Sequence, residues 1–163
     1  MLSARLVKMI ENHAQELTQG VVSDLQANPK TPSYHQLSRE ALHQRVHEVF
    51  RDFGQWLEYK PDETMGRWYS QLGERRCSEG IRLGEVAYAL TLTKYHLLDY
   101  IRAAGLVDSA MELYQEMELI RLVNRFFDKA VYYCVEGYMR EAASNPDASG
   151  LRAGATVAAG RHR

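Results

Sequence analysis

Apolar residues recur at helical spacing along most of the chain, and prolines punctuate the pattern. Leu6, Ile10, Ala14, Leu17, Val21 and Leu25 share one stripe, which predicts a helix over about residues 3–27. It stops before Asn28-Pro29, because a residue that precedes proline avoids helical dihedrals. Residues 28–37, NPKTPSYHQL, then read as a loop. A second helix begins at Ser38, a good N-cap, with Leu37 placed to staple onto Leu42. Its buried face is dense: Leu42, Val46, Val49, Phe50, Phe53, Trp56 and Leu57.

Pro61 suits the first turn of a third helix that runs to about Glu79. Asp62 and Glu63 favour its N-terminal dipole, and Met65, Trp68, Tyr69 and Leu72 share a face before Gly80 ends it. A fourth helix spans about residues 85–104, with Val86, Leu90, Leu97, Leu98 and Ile101 inward, and Gly105 closes it. A fifth opens with the capping box Ser109 and Glu112 and continues to about Ala143, roughly 50 Å at 1.5 Å per residue. No stretch alternates with the period of a strand. The expected fold is therefore all-α, a single antiparallel-like bundle of five helices with a long C-terminal helix.

On a helical wheel the fifth helix carries two apolar stripes. Leu113, Met117, Ile120, Phe127, Val131, Val135 and Tyr138 form the inner one; Leu119, Leu122, Phe126 and Tyr133 form the second. One neighbour cannot cover both. Either the helix is buried on two sides within a protomer, or Leu119, Leu122, Phe126 and Tyr133 form a homodimer interface. Beyond Ala143 the sequence is small, Gly/Ala-rich and without a stripe. Residues 144–163 are thus expected to be a disordered tail after a domain over residues 1–143.

Composition narrows the function classes. The 163 residues are 45% hydrophobic and 25% charged with a net charge of −1, as in one ordinary globular domain. The near-neutral balance argues against nucleic-acid binding, and no stretch approaches the roughly 20 apolar residues that span a bilayer. Cys77 and Cys134 form no CxxC pair and no signal peptide precedes them, which suits a reducing cytoplasm. There is no Gly-rich phosphate loop, no nucleophile in a familiar context and no paired Glu-x-x-His motif, so the chain reads as a non-enzyme.

Candidate chemistry lies where charge interrupts an apolar stripe. Arg76 continues the Trp68–Tyr69–Leu72 face, Lys94 sits between Leu90 and Leu97, and Asn124 and Asp128 interrupt the fifth helix. Buried charges must be paired or bound to something. Either Arg76 or Lys94 pairs with Asp128 and Glu79 in an internal network, or snorkels out at a helix end, or Arg76, Lys94, Asn124 and Asp128 line a core pocket for a small anionic ligand. His43 and His47 stand four apart but lack the intervening acid of a metalloprotease motif, so no metal site is assigned. His96 points away from Leu90 and Leu97, and as an axial ligand it would make the protein a haem-binding gas or redox sensor. Otherwise no cofactor is expected.

Two segments carry a family resemblance. TPSYHQLSREAL, residues 31–42, and GIRLGEVAYALTLTKYHLLDYI, residues 80–101, resemble the N-terminal sensor domain of the RsbRD type of RsbT co-antagonist proteins. The resemblance covers roughly residues 4–142 in segment order and helix lengths. It implies an all-helical, dimeric domain without known enzymatic activity that precedes an output module, and related stressosome sensors have a globin-like fold that lacks haem. The implied function is signal input; a small, Gly/Ala-rich segment stands here where the family continues into its output module, so that either the signal passes to a separate signalling protein or the domain stands without its output half. Within the first motif, Pro32 stiffens the loop, Thr31 or Ser33 can bond exposed amides and Tyr34 can bury its ring, a structural role for residues 31–34.

Overall fold

The computed structural model describes residues 4–58, 60–104 and 107–146, and among these every regular element is helical. Helices α1 (Ala4–Asn12) and α2 (Ala14–Ala27) replace the continuous first helix. The break is at His13, whose φ of −106° and ψ of 17° leave the helical region. Its Nδ1 reaches back to the Met9 carbonyl at 2.8 Å, so a side chain competes with the backbone ladder at that point. The apolar stripe survives the break, with Ile10 and Ala14 both buried.

The second expected helix is also two. Helix α3 (Arg39–Arg51) ends at Asp52, whose φ of −114° and ψ of 31° turn the chain into α4 (Phe53–Glu58). That turn aims Phe53 and Trp56 into the core. The Ser38 hydroxyl caps α3 by accepting from the Ala41 amide at 3.3 Å, as its sequence position predicts. Before it, the loop contains a short 3-10 helix over Pro32–Gln36.

Helix α5 (Asp62–Ser78) ends where Gly80 adopts a φ of 74°. The Gly80 amide donates to the Cys77 carbonyl at 2.9 Å and the Ile81 amide to the Arg76 carbonyl at 3.1 Å, the paired bonds of a Schellman ending. Helix α6 (Leu83–Ala104) follows; Gly105, its expected terminator, lies outside the described residues. Helix α7 (Ala110–Ser144) has 35 residues. Half of its expected capping box forms: the Glu112 amide donates to the Ser109 hydroxyl at 3.2 Å, while the Glu112 carboxylate accepts from the amide of Asp108, one residue before the cap, at 2.9 Å. Of the expected tail, residues 147–163 lie outside the described residues. The five expected helices are thus seven among the described residues.

The bundle is not uniformly antiparallel. Asp62 at the start of α5 meets Lys129 and Tyr133 of α7, and Ser78 at its end meets Glu141, so these two helices run in the same direction. Helix α6 runs back against α7: the Tyr138 hydroxyl donates to the Ile81 carbonyl at 2.7 Å, and Lys94 pairs with Asp128. The parallel pair is packed backbone to backbone. A methyl group on Gly73 would overlap the Cys134 carbonyl oxygen, and one on Gly137 would overlap the Ser70 carbonyl oxygen.

The second stripe of α7 is core. Leu119 is 0% and Phe126 4% exposed. Phe126 packs edge-on against Phe53, Trp56, Tyr69 and Phe127, an aromatic cluster in which each pair adds about 1 kcal/mol beyond its buried area. Leu122 and Tyr133 are half-buried, and the Tyr133 hydroxyl donates to Asp62 at 3.0 Å. Part of the stripe expected to face inward instead meets solvent: Leu113 is 49% and Met117 62% exposed. The interface expected on Leu119, Leu122, Phe126 and Tyr133 is therefore corrected, since Leu119 and Phe126 are consumed within the protomer.

Replacing Gly73 or Gly137 by alanine should lower unfolding free energy by about 3 kcal/mol, because helix backbones rather than flexible side chains must move apart. Urea denaturation followed by circular dichroism measures it; a loss below about 1 kcal/mol would show that α5 and α7 are not in backbone contact.

Candidate functional site

A cavity of about 390 Å³ opens between α3, α5 and α6, a volume in the range of small-molecule sites. Helix α3 contributes Leu42, Arg45, Val46 and Val49; α5 contributes Trp68, Tyr69, Leu72, Arg75 and Arg76; α6 contributes Val86, Ala89, Leu90 and Thr93. Leu25, Tyr34 and Phe127 reach it from α2, the 3-10 helix and α7. Most of these side chains are apolar because each helix turns its buried stripe toward the same space. The polar exceptions are the three guanidinium groups together with Gln44, Glu48, Gln71 and Thr93.

Arg76 is 4% exposed. Its Nη1 donates to Glu79 at 2.5 Å, and its guanidinium stands 5.4 Å from the centre of the Tyr34 ring. Arg45 reaches the other oxygen of Glu79 at 3.5 Å. One carboxylate thus serves two guanidiniums. Burial lowers the Arg45 pKa, and the positive charges of Arg76 and Arg75 lower it further against the pull of Glu79. Arg75 makes no ion pair among the described residues. Burial also pushes the Tyr34 hydroxyl up to about 12, so it stays protonated. Tyr34 therefore does more than anchor a loop: it forms part of the cavity wall.

That loop is held by its own bonds. The Thr31 hydroxyl donates to the Leu25 carbonyl at 2.8 Å, rather than accepting from an exposed amide. The amide and hydroxyl of Ser33 both donate to Glu85, at 2.7 and 2.8 Å. Glu85 is only 6% exposed, and this bidentate capture satisfies a carboxylate that would otherwise be costly to bury.

The four residues read as a core pocket do not converge. Arg76 alone lines the cavity. Lys94 makes a 3.6 Å pair with Asp128, whose side chain is 71% exposed, an edge contact worth under about 1 kcal/mol. Asn124 turns back to donate to the Ile120 carbonyl of its own helix at 2.9 Å. The sequence reading missed Arg45 and Arg75, yet the same signal marks both. Arg45 lies between Leu42 and Val49 on the α3 stripe, and Arg75 follows Trp68 and Leu72 on α5.

His96 does not suit an axial haem ligand. Its Nε2 is bonded to the Asp24 carboxylate at 2.9 Å, its Nδ1 would lie 3.5 Å from a methyl group at Gly20, and it is not part of the cavity wall. Burial opposes ionisation of Asp24, but the hydrogen bonds from His96 and Asn28 and the His96 charge hold its pKa below the ordinary carboxylate value. His43 and His47 stack at 5.7 Å, and the described residues contain no group of three metal-ligating side chains. Cys134 is buried and its thiol is pushed up to about 12, which removes it as a nucleophile.

Residues 14–148 match the family described as the RsbT co-antagonist protein rsbRD N-terminal domain. The chain belongs to this family. The matched segment begins at the first residue of α2 and takes in the whole cavity wall. Membership makes the chain a stressosome-type signal-input domain, a regulatory component with protein partners. No curated protein and no solved structure matches the chain. No described helix is long and apolar enough to cross a membrane.

Two outcomes follow from these pairings. Glu79→Gln should cost about 2 kcal/mol in urea denaturation, since Arg76 would keep its charge inside the protein without a carboxylate. Asp24 has a lowered folded pKa, so its stabilisation is complete above its unfolded value and disappears as pH falls through the folded one. Melting temperatures below about pH 4 should fall less steeply for Asp24→Asn than for wild type; parallel curves would remove Asp24 from the acid response.

Proposed function

We propose that this domain receives a small molecule in the α3–α5–α6 cavity and passes the signal on, without catalysis, through a protein contact made by α7, first as a homodimer and then with a separate signalling protein. The supporting observation is that α7 takes part in both places. Phe127 forms part of the cavity wall, while the N-terminal third of the same helix exposes Met111, Leu113, Tyr114 and Met117, each about half or more exposed. Contiguous apolar exposure of this kind is characteristic of interaction surfaces. Homodimerisation thereby moves from the second stripe to the start of α7, leaving Leu119 and Phe126 to the core.

Sedimentation velocity tests the assembly. The wild-type chain should sediment as a dimer, and Tyr114→Asp with Met117→Asp should give a monomer of unchanged helicity. Leu119→Asp or Phe126→Asp should instead unfold the chain. A monomeric wild type, or a double variant that still dimerises, would overturn the assignment of this face.

A further inference from the structure

The cavity is chemically lopsided. Aliphatic side chains such as Leu42, Val46, Leu72 and Leu90 make up much of its wall, and Arg45, Arg75 and Arg76 set three cations among them. These charges do not cancel. Glu79 is shared by Arg45 and Arg76, and Glu48, the acidic residue in the wall itself, has Gln44 as its hydrogen-bond partner at 3.5 Å. Three cations against two carboxylates leave one unit of positive charge.

Donor capacity points the same way. A guanidinium carries five N–H donors. Glu79 uses one nitrogen of Arg76 and one of Arg45, and no side chain engages Arg75. The arrangement has positive charge and unspent N–H groups facing an apolar chamber. An uncharged apolar molecule would leave the charge uncompensated, and inorganic phosphate would leave the chamber empty. A guanidinium fork fits the two oxygens of a carboxylate.

We infer that the cavity binds a small organic monocarboxylate, its carboxylate on Arg45, Arg75 and Arg76 and its apolar, ring-sized body between α3, α5 and α6. This rests on the reading of the cavity as the input site and adds the chemical class of what enters it. Arg76, already braced by Glu79 and the Tyr34 ring, is the fixed element of the carboxylate site. Arg45 and Arg75, nearer to solvent, close over the anion from the two flanking helices.

Isothermal titration calorimetry on the full chain tests the inference with 2-naphthoate and its uncharged counterpart 2-naphthalenemethanol. Naphthoate should bind at least about tenfold more tightly than the alcohol, a difference of about 1.4 kcal/mol. The double variant Arg45→Gln with Arg75→Gln should erase that preference while leaving alcohol binding within about twofold. Both positions are at least partly open to solvent, so the variant should fold, and circular dichroism checks it. Leu90→Trp, which fills the space beside α6, should abolish binding of both compounds.

Equal affinity for acid and alcohol in the wild type would overturn carboxylate recognition and leave the cavity as an input site. Naphthoate binding that survives Leu90→Trp, or a preference for the acid that survives the arginine variant, would place the anion elsewhere and overturn the inference. Binding of neither compound to the wild type would overturn both the inference and the cavity's role in the proposed function.

Discussion

Where Gly73 meets the Cys134 carbonyl, no side chain separates α5 from α7. A second contact of the same kind, Gly137 against the Ser70 carbonyl, stops the helices from sliding past each other. Two helices joined this closely and running in one direction need a connection that travels the full length back. Helix α6 supplies it, returning along α7 from Ile81 beside Tyr138 to Lys94 beside Asp128. The start of α6 is thereby brought to the same end of the bundle as Arg75 and Arg76. The space left on the outer side of α5 and α6 is closed by α3 and by Tyr34, and that space is the cavity.

The 3-10 helix depends on the same arrangement. Ser33 is tied to Glu85, in the first turn of α6, by two bonds to one carboxylate. Tyr34 then lies flat enough beneath Arg76 for its ring to face the guanidinium. A segment that reads as a loop in sequence is thus fixed by a buried acid 52 residues further along the chain. Its role in the cavity is a product of packing and not of any local signal.

Helical character, the caps at Ser38 and Ser109 and the ending at Gly80 were legible because each follows from a few adjacent residues. The breaks at His13 and Asp52 were not. Each interrupts the hydrogen-bond ladder at a single residue while leaving the apolar stripe in register, and a periodicity reading follows the stripe. The direction of α5 relative to α7 was equally hidden, since Gly73 and Gly137 are unremarkable until the two helices are seen to touch. For the site, the rule that charge on an apolar stripe needs a partner found Arg76. It also selected Lys94, whose long stem lets its ammonium reach Asp128 at the edge. A wheel places the first carbon of a side chain, not its last atom.

Phe127 is the central residue of α7, with 17 residues on either side between Ala110 and Ser144. The cavity thus touches the long helix at its midpoint. Under the proposed role, a tilt about that point would move the two ends by equal distances in opposite directions, so that a shift too small to disturb the core near Phe127 would be largest at the ends. One end carries exposed Met111 and Tyr114, and the other leads out of the domain toward residue 146. In that role the 35-residue helix would act as a beam, with the glycine contact off its centre limiting its swing.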